Sequence, residues 1–307
     1  MIRGFSTNRL LITVDGVRMN NAIFRSGNLQ NVISIDPLAV ERAEVILGPG
    51  SVIFGSDAVG GVMNFYTLTP EFAMGRNTVI SGNAYTRYAS ASDEKTIHTD
   101  FNIGRKNWVF LTSITYSDFG DLKMGNHGPD EYLRNEYMIS SNGNDRIVSN
   151  QDPRVQKPTG YNQINMLEKI RYMPNEFWDF SLNFMYSTTS DFPRYDRLIQ
   201  KRNGQLRSAE WYYGPQTWFM GNFKIDKKGN GMFYDNAQLT VAYQYFKESR
   251  NSRDYGTDLL FNSEENVDAW SVNLDYEKKF EKNKLNYGAE YVLNEISSEG
   301  RQINRTT

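Results

Sequence analysis

The chain has two histidines, His98 and His127, and no cysteine. Thiol nucleophiles, disulfide frameworks and cysteine-ligated zinc are therefore excluded, and a multi-histidine metal site is not available. His98 stands two residues before Asp100, and with a neighbouring serine it could mimic a Ser-His hydrolytic pair. No motif accompanies it. Gly48, Gly50, Gly55, Gly60 and Gly61 crowd into fourteen residues. No Gly-Lys-Ser/Thr follows them, so they mark tight turns and close backbone approach rather than a phosphate cradle. The strongest binding chemistry is aromatic and basic. Segment 189–216 carries Arg194, Tyr195, Arg197, Trp211, Tyr212 and Tyr213, with five basic and three acidic residues in all. Guanidinium groups and aromatic faces suit planar or anionic ligands.

The elements that position these residues fall into two regions. The 307 residues carry 34 Lys+Arg against 36 Asp+Glu, a net charge of −2 that leaves no electrostatic footprint for nucleic acid. Hydrophobic residues reach only 39% while aromatics reach 14%, a combination that fits a pleated, half-buried β surface better than a helical globule. No apolar run is long enough for a transmembrane helix, which does not bear on strands that cross a membrane. Met1 to Phe5 shows no apolar signal core. Residues 1–70 read as a small mixed α/β unit. Strands are expected at 10–14, 43–47 and 61–66, a turn at Asp15-Gly16, and a short helix over 36–42 with Asp36 as N-cap and Pro37 in its first position. From residue 78 onward the period changes to two. About nine strands alternate at 78–88, 96–104, 107–117, 162–173, 177–188, 217–226, 234–249, 267–280 and 284–297.

Many of these strands match the roughly 9–11 residues that a tilted strand needs to cross a bilayer. Their polar faces, rich in Asn, Ser, Asp and Gln, would not pack as a dry core without a partner for each group. Connections alternate between short turns (105–106, 174–176, 227–232, 281–283) and longer segments (89–95, 118–161, 189–216, 250–266). Aromatics such as Trp108, Tyr116, Trp178, Tyr186 and Trp218 sit near strand ends. Short turns on one side, long loops on the other and an aromatic girdle describe a membrane β-barrel with a polar lumen. Two other classes share the alternation: a soluble or surface β-protein for adhesion or glycan binding, and an outer-membrane barrel enzyme.

The first region resembles the plug domain of TonB-dependent outer-membrane receptors. The resemblance rests on five ordered segments: Ile2–Phe5, Leu11–Val17, Ile35–Pro37, Val40–Ser51 and Phe54–Phe65. It covers about residues 2–66, the C-terminal half of a plug, and is nearest to receptors of the Bacteroidetes type, with an iron or haem receptor suggested by Pro193–Leu198 and Glu210–Gln216. The implied fold is mainly β: a partial plug over 1–70, then over 71–307 the first antiparallel strands of a barrel of about 22 strands that closes around the plug. Nine strands are too few for that closure, so a fragment without the TonB box is expected. Gly48–Ser51 differs from the segment usual in glycan importers. Leu47 stands where the family often has Arg or Lys, which weakens the expectation of a tight charge network around the plug.

The implied function is energised uptake of a scarce nutrient, an iron–siderophore chelate or haem, in the outer membrane. The partners implied are the TonB–ExbB–ExbD complex, the ligand and membrane lipids, with no resident cofactor and no catalysis. Ligand contacts are expected where the plug apex and long loops converge: Arg18, Asn20, Asn21, Phe24, Arg25 and Asn28 after the Asp15-Gly16 turn, and Arg194, Tyr195, Arg197, Trp211 and Tyr212. Plug–barrel contacts are expected between Arg3, Glu41, Arg42 and Glu44 and the wall residues Glu168 and Glu290. If the ligand is haem, His98 or His127 is the available iron ligand.

Overall fold

The computed structural model describes residues 10–19, 31–47, 58, 60–75, 77–141 and 144–305. The first unit is a four-stranded sheet of β1 (Leu10–Val14), β2 (Val17–Arg18), β3 (Val40–Ile46) and β4 (Gly61–Thr67), in the order β2-β1-β4-β3. β1 and β4 run parallel, and the other two pairings are antiparallel. Asp15 (φ 50°) and Gly16 (φ 85°) both take positive φ, the demand of a two-residue hairpin turn with the hand of twisted strands. A single 3-10 turn, Asn31–Ser34, precedes the expected helix over 36–42. That helix is absent. Asp36 instead caps a turn, its Oδ1 accepting the Leu38 N–H at 2.9 Å, and Val40 and Arg42 already pair with Thr67 and Tyr66 of β4. Pairing with β4 supplies this segment's backbone partners, so the Asp-Pro signal starts a strand here.

The second unit is an antiparallel wall. Its long strands are β5 (Val79–Ala89), β6 (Glu94–Gly104) and β7 (Trp108–Phe119). After a hairpin of β8 (Glu136–Ser141) and β9 (Asn144–Ser149) come β10 (Tyr161–Asn175) and β11 (Trp178–Thr189). The next long segment folds into β12 (Phe192–Pro193), a one-turn helix α1 (Tyr195–Leu198), β13 (Lys201–Arg202), β14 (Gln205–Leu206) and β15 (Ser208–Tyr213). β16 (Thr217–Lys228), β17 (Asn236–Asp254), β18 (Leu259–Lys279) and β19 (Lys284–Asn304) complete it. The wall order is β5-β6-β7-β10-β11-β16-β17-β18-β19, with β15 and β12 added beside the upper half of β17. The span 250–266, expected as a long loop, is mostly strand: β17 and β18 pair from Asn236↔Glu277 up to Ser252↔Phe261.

The two faces of this wall are inverted relative to a soluble protein. Ile97, Phe101, Phe110, Ile114, Met166, Phe184 and Trp270 lie exposed on the outer face. Thr96, His98, Asn102, Ser113, Thr115, Gln163, Asn165, Asn183, Asn222 and Gln244 lie buried on the inner face. A run of rings marks the short-turn end of the outer face: Trp108 stacks on Tyr172 (4.1 Å), and Tyr276 on Tyr287 (5.1 Å).

Candidate functional site

The sheet β2-β1-β4-β3 meets the wall through an apolar patch that the alternation alone does not reveal. Ile12, Val14, Val17, Met19, Ile35 and Ala39 from the first unit pack with Leu111, Leu167, Met185, Trp218, Met220, Ala242, Phe246 and Val267 from the wall. The wall residues occupy inward positions in strands whose other inward positions are polar. A greasy island on a hydrophilic face gives the sheet a place to dock, and its burial removes apolar area from water at about 25 cal/mol per Å².

Polar ties surround the island. Lys169 Nζ lies 3.0 Å from Asp15 Oδ2, with both side chains largely buried. Asp15 also accepts the Thr67 N–H (2.9 Å) and hydroxyl (2.6 Å), so one carboxylate fixes the β1–β2 turn, the end of β4 and the wall together. Gln163 Nε2 donates to Ile33 O (2.8 Å), and Gln244 Nε2 to Arg18 O (2.8 Å). Thr115 Oγ1 donates to Asp36 Oδ2 at 2.5 Å. On the way to the wall, the side-chain amide of Asn102 accepts the Glu71 N–H and donates to its carbonyl, both at 2.9 Å. Among the expected plug–barrel contacts, Glu290 meets Arg18 Nη2 at 3.1 Å.

The other expected contacts divide differently. Glu168 is corrected: its position in β10 faces outward, and it takes the Thr112 hydroxyl on the outer face. Its neighbour Lys169 is the residue facing the sheet. Glu41 binds the Thr69 N–H (3.1 Å) and hydroxyl (2.7 Å), Arg42 lies over the Tyr66 ring and pairs with Glu44 at 3.4 Å, and Glu44 accepts the Tyr66 hydroxyl. These three residues therefore act within the first unit and the segment leaving it, with no hydrogen bond or ion pair to the wall among the described residues. Arg3, Asn20, Asn21, Phe24, Arg25 and Asn28 lie outside the described residues.

A cavity of about 1080 Å³ separates the sheet from the wall toward the short-turn end. Leu11, Thr13, Gly16 and Arg18 face Arg171, Asp179, Asp226, Asp275 and Glu290 across it. Its volume and lining charges of both signs make it a solvated gap beside the docked sheet.

At the long-loop end the expected ligand residues are engaged with one another. Arg194 binds Asp196 through Nε (2.6 Å) and Nη2 (2.8 Å), donates to the Tyr213 hydroxyl, and lies over the Trp211 and Tyr213 rings. Arg197 reaches the same Asp196 at 3.8 Å. The Arg194 hydrogen bonds hold the Asp196 carboxyl below the ordinary aspartate range, and Asp196 raises Arg194 in return. Burial raises the Tyr195 and Tyr212 hydroxyls, with Asp191 and Glu210 adding to Tyr212. This cluster is a braced aromatic and basic platform at the long-loop end.

A second brace holds the β8–β9 hairpin. Arg253, 3% exposed, binds Asp145 through two nitrogens (2.8 and 2.7 Å), Glu210 (3.0 Å), Ser140 (2.9 Å) and Thr257 O (2.7 Å). Burial pushes the Asp145 carboxyl up, but hydrogen bonds from Arg253, Ser140 and the Gly256 N–H outweigh it and leave it lowered. His98 is 1% exposed, with Nδ1 2.6 Å from Thr115 Oγ1 and Nε2 3.2 Å from Asp100 Oδ2, so both ring nitrogens are occupied. His127 lies exposed in a turn. Among the described residues no group of His, Asp and Glu forms a metal site.

Comparison with known proteins agrees with this architecture. Residues 1–62 match the family model described as the TonB-dependent receptor plug domain. The vitamin B12 transporter BtuB of Vibrio vulnificus is 46% identical over 74 residues, 24% of this chain and 12% of that protein. The vitamin B12 transporter BtuB of Photobacterium profundum is 22% identical over 303 residues, 98% of this chain and 41% of the relative. Among solved structures, the copper transporter OprC superposes with a TM-score of 0.71 at 15% identity, over 97% of this chain and 40% of that one. The chain thus spans at most about two fifths of the length of these proteins. All three are transporters by name, not enzymes, and none bears on the Bacteroidetes subtype. A plug-domain match over residues 1–62, followed by strands that superpose on the wall of a solved outer-membrane transporter, makes this chain similar to the TonB-dependent outer-membrane receptors.

Proposed function

We propose that the protein this chain belongs to takes up a scarce nutrient across the outer membrane, as a multi-pass β-barrel energised by a TonB–ExbB–ExbD complex. The single observation that carries the reading is the inverted wall: apolar residues exposed outside, polar residues buried inside against a separate docked sheet. A face of that kind belongs against hydrocarbon, and a stoppered polar lumen needs an energy source to open. Residues 1–70 act as the plug portion and 71–307 as the wall. The ligand is a metal-containing nutrient such as an iron–siderophore chelate or haem, with a corrinoid or copper also consistent with the relatives. Arg194, Tyr195, Arg197, Trp211 and Tyr212 present the receiving surface, together with the segment holding Asn20, Asn21, Phe24 and Arg25. Arg18 and Glu290 tie plug to wall.

Because the chain has no native cysteine, the reading is testable by stapling. Cysteines at Asp15 and Lys169, joined by a short bismaleimide in cells carrying the complete gene, should abolish uptake of the cognate nutrient while leaving its binding at the cell surface. Unchanged uptake after full cross-linking would defeat the reading.

A further inference from the structure

The loop layer holds a buried cation with no described counter-charge. Arg134, 5% exposed, follows the 3-10 turn Asp130–Tyr132. Its Nε donates to Lys157 O (3.1 Å) and Nη2 to Leu198 O (3.2 Å), the last residue of α1. The Tyr195 ring lies 5.6 Å from the guanidinium carbon. Among the described residues no carboxylate pairs with it. Glu136, the acid whose field reaches it, is bound at 2.7 Å by Lys201 instead. Two carbonyls and a ring face offset only part of the cost of burying a guanidinium, which is compensated when an anion binds it in a fork. Burial accordingly lowers Arg134 from the ordinary arginine range, against smaller opposing effects of Tyr195 and Glu136.

The guanidinium borders a cavity of about 450 Å³ that Tyr132, Gln156, Tyr195 and Lys201 also line. Arg134 lines that space, and its Nη1 has no hydrogen-bond partner among the described residues. The volume lies within the range of small-molecule sites, about 300–1,000 Å³, and exceeds a bare inorganic ion. The acids Glu131 and Glu136 on the rim disfavour a polyanion. We propose that this cavity binds one oxyanion group, a carboxylate or a phosphate, held by Arg134 Nη1 with Lys201 at the rim. A soluble molecule and a lipid of the outer leaflet share that head chemistry, and the site stands independently of the uptake reading.

The test uses the full chain, purified in detergent, with sodium phosphate as probe against sodium chloride at matched ionic strength. Phosphate should raise the melting temperature saturably. Arg134→Met, which keeps the volume and removes the charge, should weaken that response by about tenfold or more, the loss of a charge-assisted contact. Arg134→Met should also melt no lower than the parent protein without phosphate. Should that variant fail to fold, Lys201→Met at the exposed rim should weaken phosphate binding about threefold. Competition by lipid A micelles would support the site and assign it to a lipid headgroup, and phosphate binding without such competition would support it as a site for a soluble anion. No saturable response in the parent protein, or an equal response in a folded variant, would overturn it.

Discussion

The plug interface and the loop layer are held by opposite chemistry. Beneath the plug sheet, methionines, aliphatics, Trp218 and Phe246 form the contact, and a few single ties such as Lys169–Asp15 orient it. In the loop layer the contacts are charged and shared: Arg253 serves Asp145 and Glu210, and Arg194 serves Asp196 and two rings. Apolar burial is non-directional, so a docked surface of this kind tolerates sliding and release. Bidentate guanidinium–carboxylate contacts fix geometry. The plug sheet is seated by buried area, and the loops are set by angle.

Substitutions can break or sharpen that contrast. The largest effect is expected from Phe246→Ala, since the ring is 2% exposed in the shared core. It should cost about 3–5 kcal/mol in thermal unfolding of the detergent-solubilised chain. The outward Phe184→Ala, 37% exposed, should cost clearly less in the same assay. Next, Arg253→Met leaves Asp145 without its cation while Glu210 keeps Arg305, and should cost about 3 kcal/mol, read as protease cleavage in the β8–β9 hairpin rather than release of the plug sheet. Lys169→Met leaves Asp15 its Thr67 contacts and should cost about 1–3 kcal/mol, read as faster hydrogen exchange in β1.

Acid sharpens the same contrast. The lowered carboxyls of Asp145 and Asp196 contribute stability that is present above the unfolded aspartate value, near 3.9, and is lost as pH falls through their lower folded values. Loop-layer protection factors, corrected for the intrinsic exchange rate at each pH, should therefore stay flat from about pH 5 to 8 and fall below about pH 4, before the apolar plug interface opens. Smallest of all, Glu168→Gln keeps an acceptor for Thr112 and should change stability within about 0.5 kcal/mol. A large loss of plug protection in that variant would return Glu168 to the interface.

Much of the wall was legible in the sequence because a period of two survives any tertiary context. All nine expected strands are present, most with ends within a few residues. The same rule identifies which side is polar, yet it carries no information on which inward residue meets the plug. Glu168 and Lys169 are neighbours on opposite faces, and strict alternation from Leu167 and Asn165 would have turned Lys169 inward. The helix expected at 36–42 failed because Asp-Pro fits a turn as well as an N-cap, and the pairing with β4 decided between them. The brace at Arg253 joins residues 108 apart in the chain, and no local spacing announces it. The greasy island was hidden for a related reason: Met185, Met220 and Phe246 look like lapses in a polar stripe until the facing Ile12, Val14 and Val17 are seen.

The central claim is that the outward stripes meet hydrocarbon and the inward stripes meet the plug. Single cysteines at positions 182 to 187, spin-labelled one at a time in bilayers, test it most directly. The account predicts that labels at Leu182, Phe184 and Tyr186 collide freely with oxygen and poorly with an aqueous nickel chelate. Those at Asn183, Met185 and Ser187 should be shielded from both. Labels at the odd positions reporting lipid, with the even ones buried, would contradict it.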